Sequence, residues 1–349
     1  MKINNCPNCG GKVEFSPNDK ALKCEKCSSI FKIELNPPKE KRLVSEVALL
    51  NKDDAFKKWA EGKRTFHCEN CGAEIVLNKY EMSTKCSYCN TASLVPTEKL
   101  PGLKPDAVIP FKISKNKANE QFKTKIKSKM FLPNDFKRNI PKTQIGATYL
   151  SSFSFAMDAF ATYKGIKAVT RTIRTKEGYQ TVTDYVPFSG TISRGFDNIV
   201  VECSDKINQN QIDSILPYYF KENYDYDDDF LMGYSVDYYD RNVADSTNIA
   251  KDIALNSLDR DIRLKHGNVT SLKIFPTYSN EKFHYVLLPL YFINFKYKDK
   301  QYLNLMNGQT GVTSGKTPRS ATKITFFVLG IILLVIGVPL LIMILSSLT

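Results

Sequence analysis

Hydrophobic and polar positions vary along the chain in three ways: short alternating stretches near the amino terminus, longer alternations in the middle, and one continuous apolar run at the end. The apolar run, residues 324–345, contains no charged residue. At about 1.5 Å of rise per residue it would extend roughly 33 Å, enough to cross the ~30 Å hydrocarbon core of a bilayer. The pattern therefore predicts one C-terminal transmembrane helix.

The residues that flank this run predict its orientation. Lys316, Arg319 and Lys323 precede it, and cationic residues favour the cytoplasmic side of a membrane. The first residues contain no apolar segment, so we expect no secretory signal. A cleaved lipid-anchor signal would need an extracellular protein, and a buried core helix would not be apolar on every face. We therefore expect a single-pass protein of the cell membrane with its N-terminal part in the cytoplasm.

The middle of the chain predicts an α+β domain with mostly antiparallel strands. Helices are predicted at 208–220 and at 245–264, the second from a stripe formed by Ile249, Ile253, Leu255 and Leu258. Alternation predicts strands at 149–165, 167–174, 179–186, 272–278, 283–298 and 301–306. A weak repeat relates 149–165 to 285–299, which predicts two copies of a helix followed by a long hairpin.

Cysteine pairs form the strongest local pattern. The pairs Cys6/Cys9 and Cys24/Cys27 have two residues within each pair and fourteen between them, and a second set repeats this spacing. Two intervening residues form a tight turn that directs both sulfurs towards one ion, and two such turns joined by a hairpin close an S₄ site. The predicted ligands of two zinc ions are Cys6, Cys9, Cys24, Cys27, Cys68, Cys71, Cys86 and Cys89.

The two zinc sites are expected to be structural. Four cysteines complete a tetrahedral site and leave no open position for water or substrate. His67 precedes Cys68, but the ribbon is complete without it, so we interpret it as a surface residue. Hairpin strands are predicted at 12–15, 21–23, 74–77 and 83–85, with third strands at 30–33 and 93–95.

The predicted domain order places the ribbons before the α+β domain. Between the ribbons, Phe56 and Trp59 share one face of a short helix. We expect Trp59 to pack the ribbons together rather than to stack on a base. The domains are zinc ribbon 1 at 1–35, a linker at 36–63, zinc ribbon 2 at 64–98, the α+β domain at 99–315 and a tail anchor at 316–349.

The positive charge is concentrated in one segment. The formal net charge is +13, and residues 101–145 carry 11 Lys+Arg against 3 Asp+Glu. Residues 1–100 carry 17 against 13, and two zinc ions with four thiolates each would bring that part to about neutral. The zinc-loaded ribbons are therefore not a basic module.

Residues 115–131 predict an amphipathic, lysine-rich helix. Its apolar stripe is Ala118, Phe122, Ile126 and Met130. The simplest interpretation is a solvated lysine face over a core stripe; contact with anionic lipid or with a nucleic-acid backbone are alternatives. The aromatic interleaving and glycine-rich loops of a stacking surface are absent, which disfavours a nucleic-acid partner. The candidates for lipid or phosphate contact are Lys115, Lys117, Lys123, Lys125, Lys127 and Lys129.

Catalytic motifs are not apparent in the middle of the chain. Cys203, His266 and His284 are scattered and lack the spacing of a nucleophile motif or a metal site. The acidic residues at 225–229 lack the glycine and the distal glutamate of a calcium loop, so we interpret them as a solvated turn. No glycine-rich phosphate loop occurs. We expect the protein not to be an enzyme.

Several motifs together suggest a family. They are Cys6-Pro-Asn-Cys-Gly-Gly, Ala156-Met-Asp-Ala with Tyr163-Lys-Gly, Leu216-Pro-Tyr with Phe230-Leu-Met-Gly-Tyr, Leu288-Pro-Leu with Tyr297, and Asn307-Gly-Gln-Thr-Gly with Gly315-Lys-Thr-Pro. With these the chain resembles bacterial TFIIB-type zinc-ribbon, tail-anchored membrane proteins, loosely labelled primosomal-helicase-like. No Walker motif supports that label here. The aromatic run usual in the family is replaced by Leu-Ser-Ser-Phe at 150–153.

The resemblance implies a membrane adaptor whose partners are PspA-like coat proteins or virion-core-like proteins with an SPFH-type domain, acting in envelope stress. Closed zinc sites and the absence of a catalytic cluster favour the same function. We therefore predict a non-enzymatic, membrane-anchored adaptor that presents zinc ribbons and an α+β domain to cytosolic partners. The alternative is a membrane-tethered, nucleic-acid-binding zinc-ribbon protein, on the basis of the ribbon type and the basic segment.

Overall fold

The fold combines helices with one large and one small β-sheet. The computed structural model describes residues 5–46, 59–78, 85–98, 103–141, 143–176, 178–203, 206–238, 241–337 and 339. The predicted α+β class agrees with this arrangement, and most strand pairs are antiparallel, as predicted.

The strands follow the chain from the ribbons to the large sheet. They are β1 (Val13–Ser16), β2 (Ala21–Cys24), β3 (Ile30–Lys32), β4 (Arg42–Leu43), β5 (Lys63–Cys68), β6 (Glu74–Asn78), β7 (Leu94–Thr97), β8 (Ala107–Val108), β9 (Gln144–Thr175), β10 (Gly178–Glu202), β11 (Tyr224–Asp225), β12 (Ser235–Asp237), β13 (Val269–Tyr297), β14 (Lys300–Asn307) and β15 (Thr313–Gly315). The helices are α1 (Lys115–Lys127), α2 (Asn134–Arg138), α3 (Gln209–Asp213), α4 (Val243–His266) and α5 (Ala321–Ile332). Short 3₁₀ turns occupy Val44–Glu46, Phe220–Glu222 and Asp228–Leu231.

Two long antiparallel strands, β9 and β13, form the axis of the large sheet. β10 pairs with β9 on one side, and β14 pairs with β13 on the other. Each long hairpin follows helical segments in the chain, which is the order that the weak repeat predicts. We call the part of this sheet formed by 144–155, 199–202 and 282–307, with the helices and the segment 206–238 packed on it, the body.

The same long strands continue beyond the body as a projecting arm. Residues 156–196 of the β9–β10 hairpin and 269–281 of β13 form a three-stranded sheet, and α4 packs on one side of it. Beyond Lys167, where pairing with β13 ends, only the β9–β10 ribbon continues. We call these strands together with α4 the arm.

Helix α4 buries one residue of the predicted stripe, Leu258, together with residues that the stripe did not include. Its fully buried positions include Ala250, Ala254, Leu258 and Ile262, whereas Ile249, Ile253 and Leu255 are only partly buried. Leu258 packs against Ala159 and Ala161 of the sheet, while Ala250 and Ala254 belong to the main hydrophobic cluster. The apolar pattern located the helix correctly, but the buried stripe combines two alanines with Leu258 and Ile262 instead of following the large apolar residues alone.

Two other helix predictions differ from the structure. In α1, Ala118, Phe122 and Ile126 are buried as predicted, but the helix ends at Lys127 and Met130 is exposed. The helix predicted at 208–220 is only the five-residue α3. Pro217 explains this, because it has no backbone N–H to donate and it disfavours helical geometry at the residue before it.

The predicted transmembrane helix and the location derived from it are wrong. α5 covers 12 residues and is followed by a five-residue π turn, Leu333–Gly337, while 338 and 340–349 lie outside the described residues. Twelve residues of α-helix extend about 18 Å, well short of a bilayer's ~30 Å core. Within the described part of the chain, no helix combines the length and the apolar character needed to cross a membrane.

Candidate metal centres

Four short turns carry the eight cysteines, and all share one backbone geometry. In the first turn, the Gly10 N–H donates to the Cys6 carbonyl and the Cys6 N–H donates to the Gly11 carbonyl, both at 2.8 Å. The other three turns repeat these two bonds at Cys24, Cys68 and Cys86. The residue after the second cysteine has a positive φ every time: Gly10, Ser28, Gly72 and Asn90. Glycine tolerates this conformation without strain, so the sequence marked two of the four turns more clearly than the others.

Each predicted set of four cysteines converges. The sulfurs of Cys6, Cys9, Cys24 and Cys27 lie within 4.8 Å of one another, and so do those of Cys68, Cys71, Cys86 and Cys89. The shortest contacts are 3.5 Å between Cys6 and Cys27 and 3.6 Å between Cys68 and Cys89. Tetrahedral metal–sulfur bonds of about 2.3 Å require sulfurs about 3.8 Å apart. Both groups therefore fit a metal ion, and zinc is the typical ion for four thiolates.

Hydrogen bonds favour the thiolate form of the fourth cysteine in each site, Cys27 in the first and Cys89 in the second. The hydroxyl of Ser29, 3.1 Å from Cys27, and the backbone N–H of Ser29 lower the pKa of Cys27 to about 6. Burial raises the pKa of Cys89, but the hydroxyl and the N–H of Thr91 outweigh it and bring that pKa to about 6. Because thiolates are the ligand form, these donors favour metal binding at Cys27 and Cys89. The pKa of Cys9 is raised to about 12 and that of Cys71 to about 11, so a metal ion must displace the protons of these two thiols.

Ribbon 1 keeps its own small sheet and packs against the body at one segment. The sheet order is β1-β2-β3, and Cys27 is exposed. The Phe15 ring lies 5.5 Å from the Phe230 ring, and the Phe15 N–H donates to the Met232 carbonyl at 2.9 Å. A Cβ added at Gly233 would come within 3.0 Å of the Glu14 side chain, so glycine permits this close approach.

Ribbon 2 is built into the large sheet. Its strand β6 pairs with β12, which pairs with β9 of the body. The Tyr88 hydroxyl donates to buried Asp237, and Asn294 donates to the Tyr88 carbonyl at 2.6 Å. A Cβ added at Gly146 would lie 1.9 Å from the Ser87 carbonyl oxygen, so the backbones are in direct contact there.

Residues 226–234 lie between the two ribbons. On one side this segment contacts Phe15 of ribbon 1. On the other, the Tyr226 hydroxyl accepts a hydrogen bond from Trp59 at 3.1 Å, and Asp228 pairs with buried Lys63 at 2.5 Å. Trp59 thus joins the segment before ribbon 2 to the body, and the acidic residues are more than the predicted solvated turn.

The remaining predicted residues are dispersed. His67 lies 3.8 Å from Glu74 and belongs to neither cysteine group. Cys203 is fully buried, His266 contacts the Tyr163 hydroxyl in the arm at 3.1 Å, and His284 is buried beneath the chain near 39–42. The structure does not bring these three side chains together. The absence of enzymatic activity stays a prediction.

The lysines of α1 lie at the surface on one side of the body. Lys123 is partly buried and the others in the predicted set are exposed. Lys125 donates to the Thr313 carbonyl at 3.1 Å, and Lys129 donates to the Thr317 hydroxyl at 3.3 Å. These two lysines therefore hold the chain that precedes α5, a contact that the sequence did not indicate.

The motif at 307–311 has a structural explanation. Asn307 is fully buried, and its amide donates to the carbonyls of Ile215 and Pro217 at 3.0 and 3.1 Å. The Gln309 side chain accepts from the Tyr219 N–H at 2.8 Å and donates to the Tyr219 carbonyl at 3.0 Å. The motif thus fixes the loop at 215–222 to the body, which accounts for its distinctive composition without a ligand.

Comparisons with known proteins add one relative. No family model matches the chain, and no solved structure matches it. The chain is similar to the uncharacterized protein YdjG of Bacillus subtilis (strain 168), with 27% identity over 332 residues that cover 93% of each chain.

Proposed function

We propose that this protein is a non-enzymatic adaptor in which two structural zinc ions fasten two ribbons to a partner-binding body. The observation that carries the proposal is the position of the ligands. Cys6 and Cys24 share a hydrophobic cluster with body residues such as Phe230, and Cys68 and Cys86 share another with Leu288. Metals placed this way stabilise the fold, because removing one exposes apolar surface shared with the body.

The chemistry of the sites supports a structural role. Four cysteines complete the coordination of zinc, which leaves no position where a substrate or an activated water could bind. Glycine at position 11 also supports a compact site, since an added Cβ would lie 3.1 Å from the Cys24 sulfur and 3.3 Å from the Cys9 sulfur. A catalytic zinc site would instead keep one ligand position open.

Metal analysis of the full chain tests the structural part. We expect about two zinc ions per chain, and about one after Cys24→Ser or Cys86→Ser. Cys203→Ser is the matched control, because Cys203 is buried but belongs to neither group; this variant should keep both ions. A wild-type content near zero after refolding with zinc would contradict the proposal.

Crosslinking in cells tests the adaptor part. The full chain, crosslinked and purified, should retain specific proteins that the zinc-free chain loses. The family resemblance nominates PspA-like and SPFH-type or virion-core-like proteins as partners. Recovery of the same proteins with the Cys24→Ser, Cys86→Ser double variant would remove the zinc-fastened fold from the recruiting role.

A further inference from the structure

The arm has one covered face and one open face. Side chains alternate along β9, β10 and β13, so in the three-stranded part of the arm every second residue points to α4. Beyond Lys167, Val169, Ile173 and Val186 on that same side are exposed. The covered side includes Ala159, Ala161 and Tyr163, which are buried. The opposite residues form what we call the outer face, and all of them are exposed except Ala168, which is partly buried. They are the even-numbered residues from 158 to 174 in β9, the odd-numbered residues from 179 to 195 in β10, and Ser271, Lys273, Phe275, Thr277 and Ser279 in β13.

Exposed aromatic rings lie at intervals along the outer face. Phe160 and Phe275 are 51% and 53% exposed, and Tyr179 and Tyr185 are 79% and 69% exposed. Phe160 pairs with Thr277 and Phe275 pairs with Thr162, so the two phenylalanines are diagonal neighbours, at roughly 7–8 Å. Exposed aromatic side chains on a sheet are the surface on which single-stranded bases stack.

The charge of the outer face favours an anion. Its cationic residues are Lys164, Lys273 and Arg174, and its acidic residue is Asp158, which accepts a hydrogen bond from Asn280 at 2.6 Å. Lys164 and Lys273 pair directly across neighbouring strands. Like charges in that position destabilise a sheet, and an anion between them would remove the repulsion. Serine and threonine, which can donate to phosphate, supply most of the other positions.

Other occupants fit less well. Pro187 in β10 and Pro276 in β13 lie on the two edge strands of the arm, and proline there discourages addition of another strand. A second copy would bring two positive outer faces together. The face is also long: from the Phe160 row to the Arg174–Tyr179 row it covers 14 residues, or about 46 Å.

We propose that the outer face of the arm binds single-stranded nucleic acid. Phe160 and Phe275 stack on bases, while Lys164 and Lys273 contact phosphates beside them. The Lys164 ammonium lies 5.6 Å from the centre of the Phe275 ring, so one phosphate contact and one stacking surface are adjacent. This site is separate from the α1 lysines, and it does not depend on the adaptor function.

Fluorescence anisotropy of the full chain tests the proposal. The probes are fluorescein-labelled single strands of about 12 nucleotides, as DNA and as RNA, and a duplex of the same sequence. We expect the single strands to bind more tightly than the duplex. Phe160→Leu with Phe275→Leu should weaken single-strand binding by about tenfold or more, because leucine keeps the apolar character but removes the stacking surface.

Matched variants distinguish stacking and specific charge from general effects. Tyr219→Leu removes another exposed aromatic residue, outside the arm, and should leave binding unchanged. Lys273→Gln should lower the slope of log K against log salt by about 0.7. Lys265→Gln, which removes an exposed charge on α4 and not on the outer face, should leave that slope unchanged. Thermal unfolding of each variant should match that of the wild type, since all these side chains are exposed.

Three outcomes would overturn the proposal. The first is equal affinity for single strands and duplex, which would indicate non-specific charge binding. The second is unchanged affinity after the double phenylalanine substitution. The third is the absence of single-strand binding; crosslinking of an acidic protein through a photoreactive residue at position 275 would then make the face a protein-binding site.

Discussion

The two ribbons have the same cysteine spacing but different relations to the rest of the molecule. Ribbon 1 has a separate three-stranded sheet, and it contacts the body through the hydrophobic cluster around Phe15 and through the backbone near Gly233, with no strand pair between β1–β3 and the described strands of the body. Ribbon 2 shares strand pairs with the body through β6 and β12, and it has buried polar contacts at Tyr88. A repeated metal motif can therefore be a peripheral module in one copy and part of the main sheet in the other.

The comparison has an energetic consequence. Metal binding stabilises the part of the chain that folds together with the site, because the unfolded chain lacks the preformed ligands. In ribbon 1 that unit is mostly the ribbon. In ribbon 2 it includes the strands that pair with it, so we expect the second ion to stabilise the body and the first to stabilise mainly its own ribbon.

The largest expected difference concerns the ligands themselves. Cys86→Ser should remove the ribbon 2 ion and lower the body's free energy of unfolding by several kcal/mol, since zinc binding contributes about 10 kcal/mol or more in small zinc domains. Cys24→Ser should cost the body about 1–2 kcal/mol, through lost packing on Phe230. Guanidinium unfolding followed by circular dichroism measures both, with Cys203→Ser as the control.

The second difference concerns the docking glycines. Gly146→Ala should destabilise by about 3 kcal/mol, because its Cβ meets the Ser87 carbonyl and the backbones must separate. Gly233→Ala should cost about 1 kcal/mol, for the φ of +85° and a shift of the flexible Glu14 side chain. Thermal unfolding of both variants compares them. A larger effect at Gly233 would contradict the assignment of ribbon 2 as the integrated copy.

The smallest difference concerns one hydroxyl at each ribbon. Tyr88→Phe removes a buried hydrogen bond to the Asp237 carboxylate, with an expected cost of about 2 kcal/mol. Tyr234→Phe removes a long contact of 3.5 Å to the Phe15 carbonyl, with an expected cost of about 0.5 kcal/mol. Urea unfolding curves give both values. Equal costs would mean that the two contacts have similar strength.

The metal groups were predictable from sequence because their information is local. Two residues between cysteines set each turn, and the repeat of fourteen residues identified both sets without any knowledge of the fold. Ser28 and Asn90 were not apparent, since they adopt the same positive φ as Gly10 and Gly72 without being glycine. The docking of the ribbons was also not apparent, because it depends on residues distant in sequence, such as Gly146 and Ser87.

The long strands show where pattern reading is limited. Predicted strands at 149–165 and 167–174 are one strand, and those at 272–278 and 283–298 are another. The predictions ended these strands at Gly165 and Tyr278, but the pairing continues, with a register shift near Asn280. The outer face of the arm combines residues from three strands, so no single segment shows its aromatic and cationic composition. The strand predicted at 83–85 lies mostly outside the described residues, and the proposed domain boundaries stay a prediction.

The apolar C-terminal run shows a different limit. Composition alone predicted a transmembrane helix at 324–345, whereas the α-helix in the described part ends at Ile332 and continues as a π turn. Hydropathy measures how apolar a segment is and does not fix how far a regular helix extends.

Stepwise zinc removal tests the unequal coupling of the two ribbons most directly. The full chain is titrated with a chelator while released zinc and amide hydrogen exchange are measured together. We predict that one ion leaves first, with faster exchange at 13–24 of ribbon 1, while 63–68 of ribbon 2 and 144–155 of the body stay protected. Release of the second ion should then expose the body. Simultaneous release of both ions, or loss of protection at ribbon 2 before ribbon 1, would contradict the account.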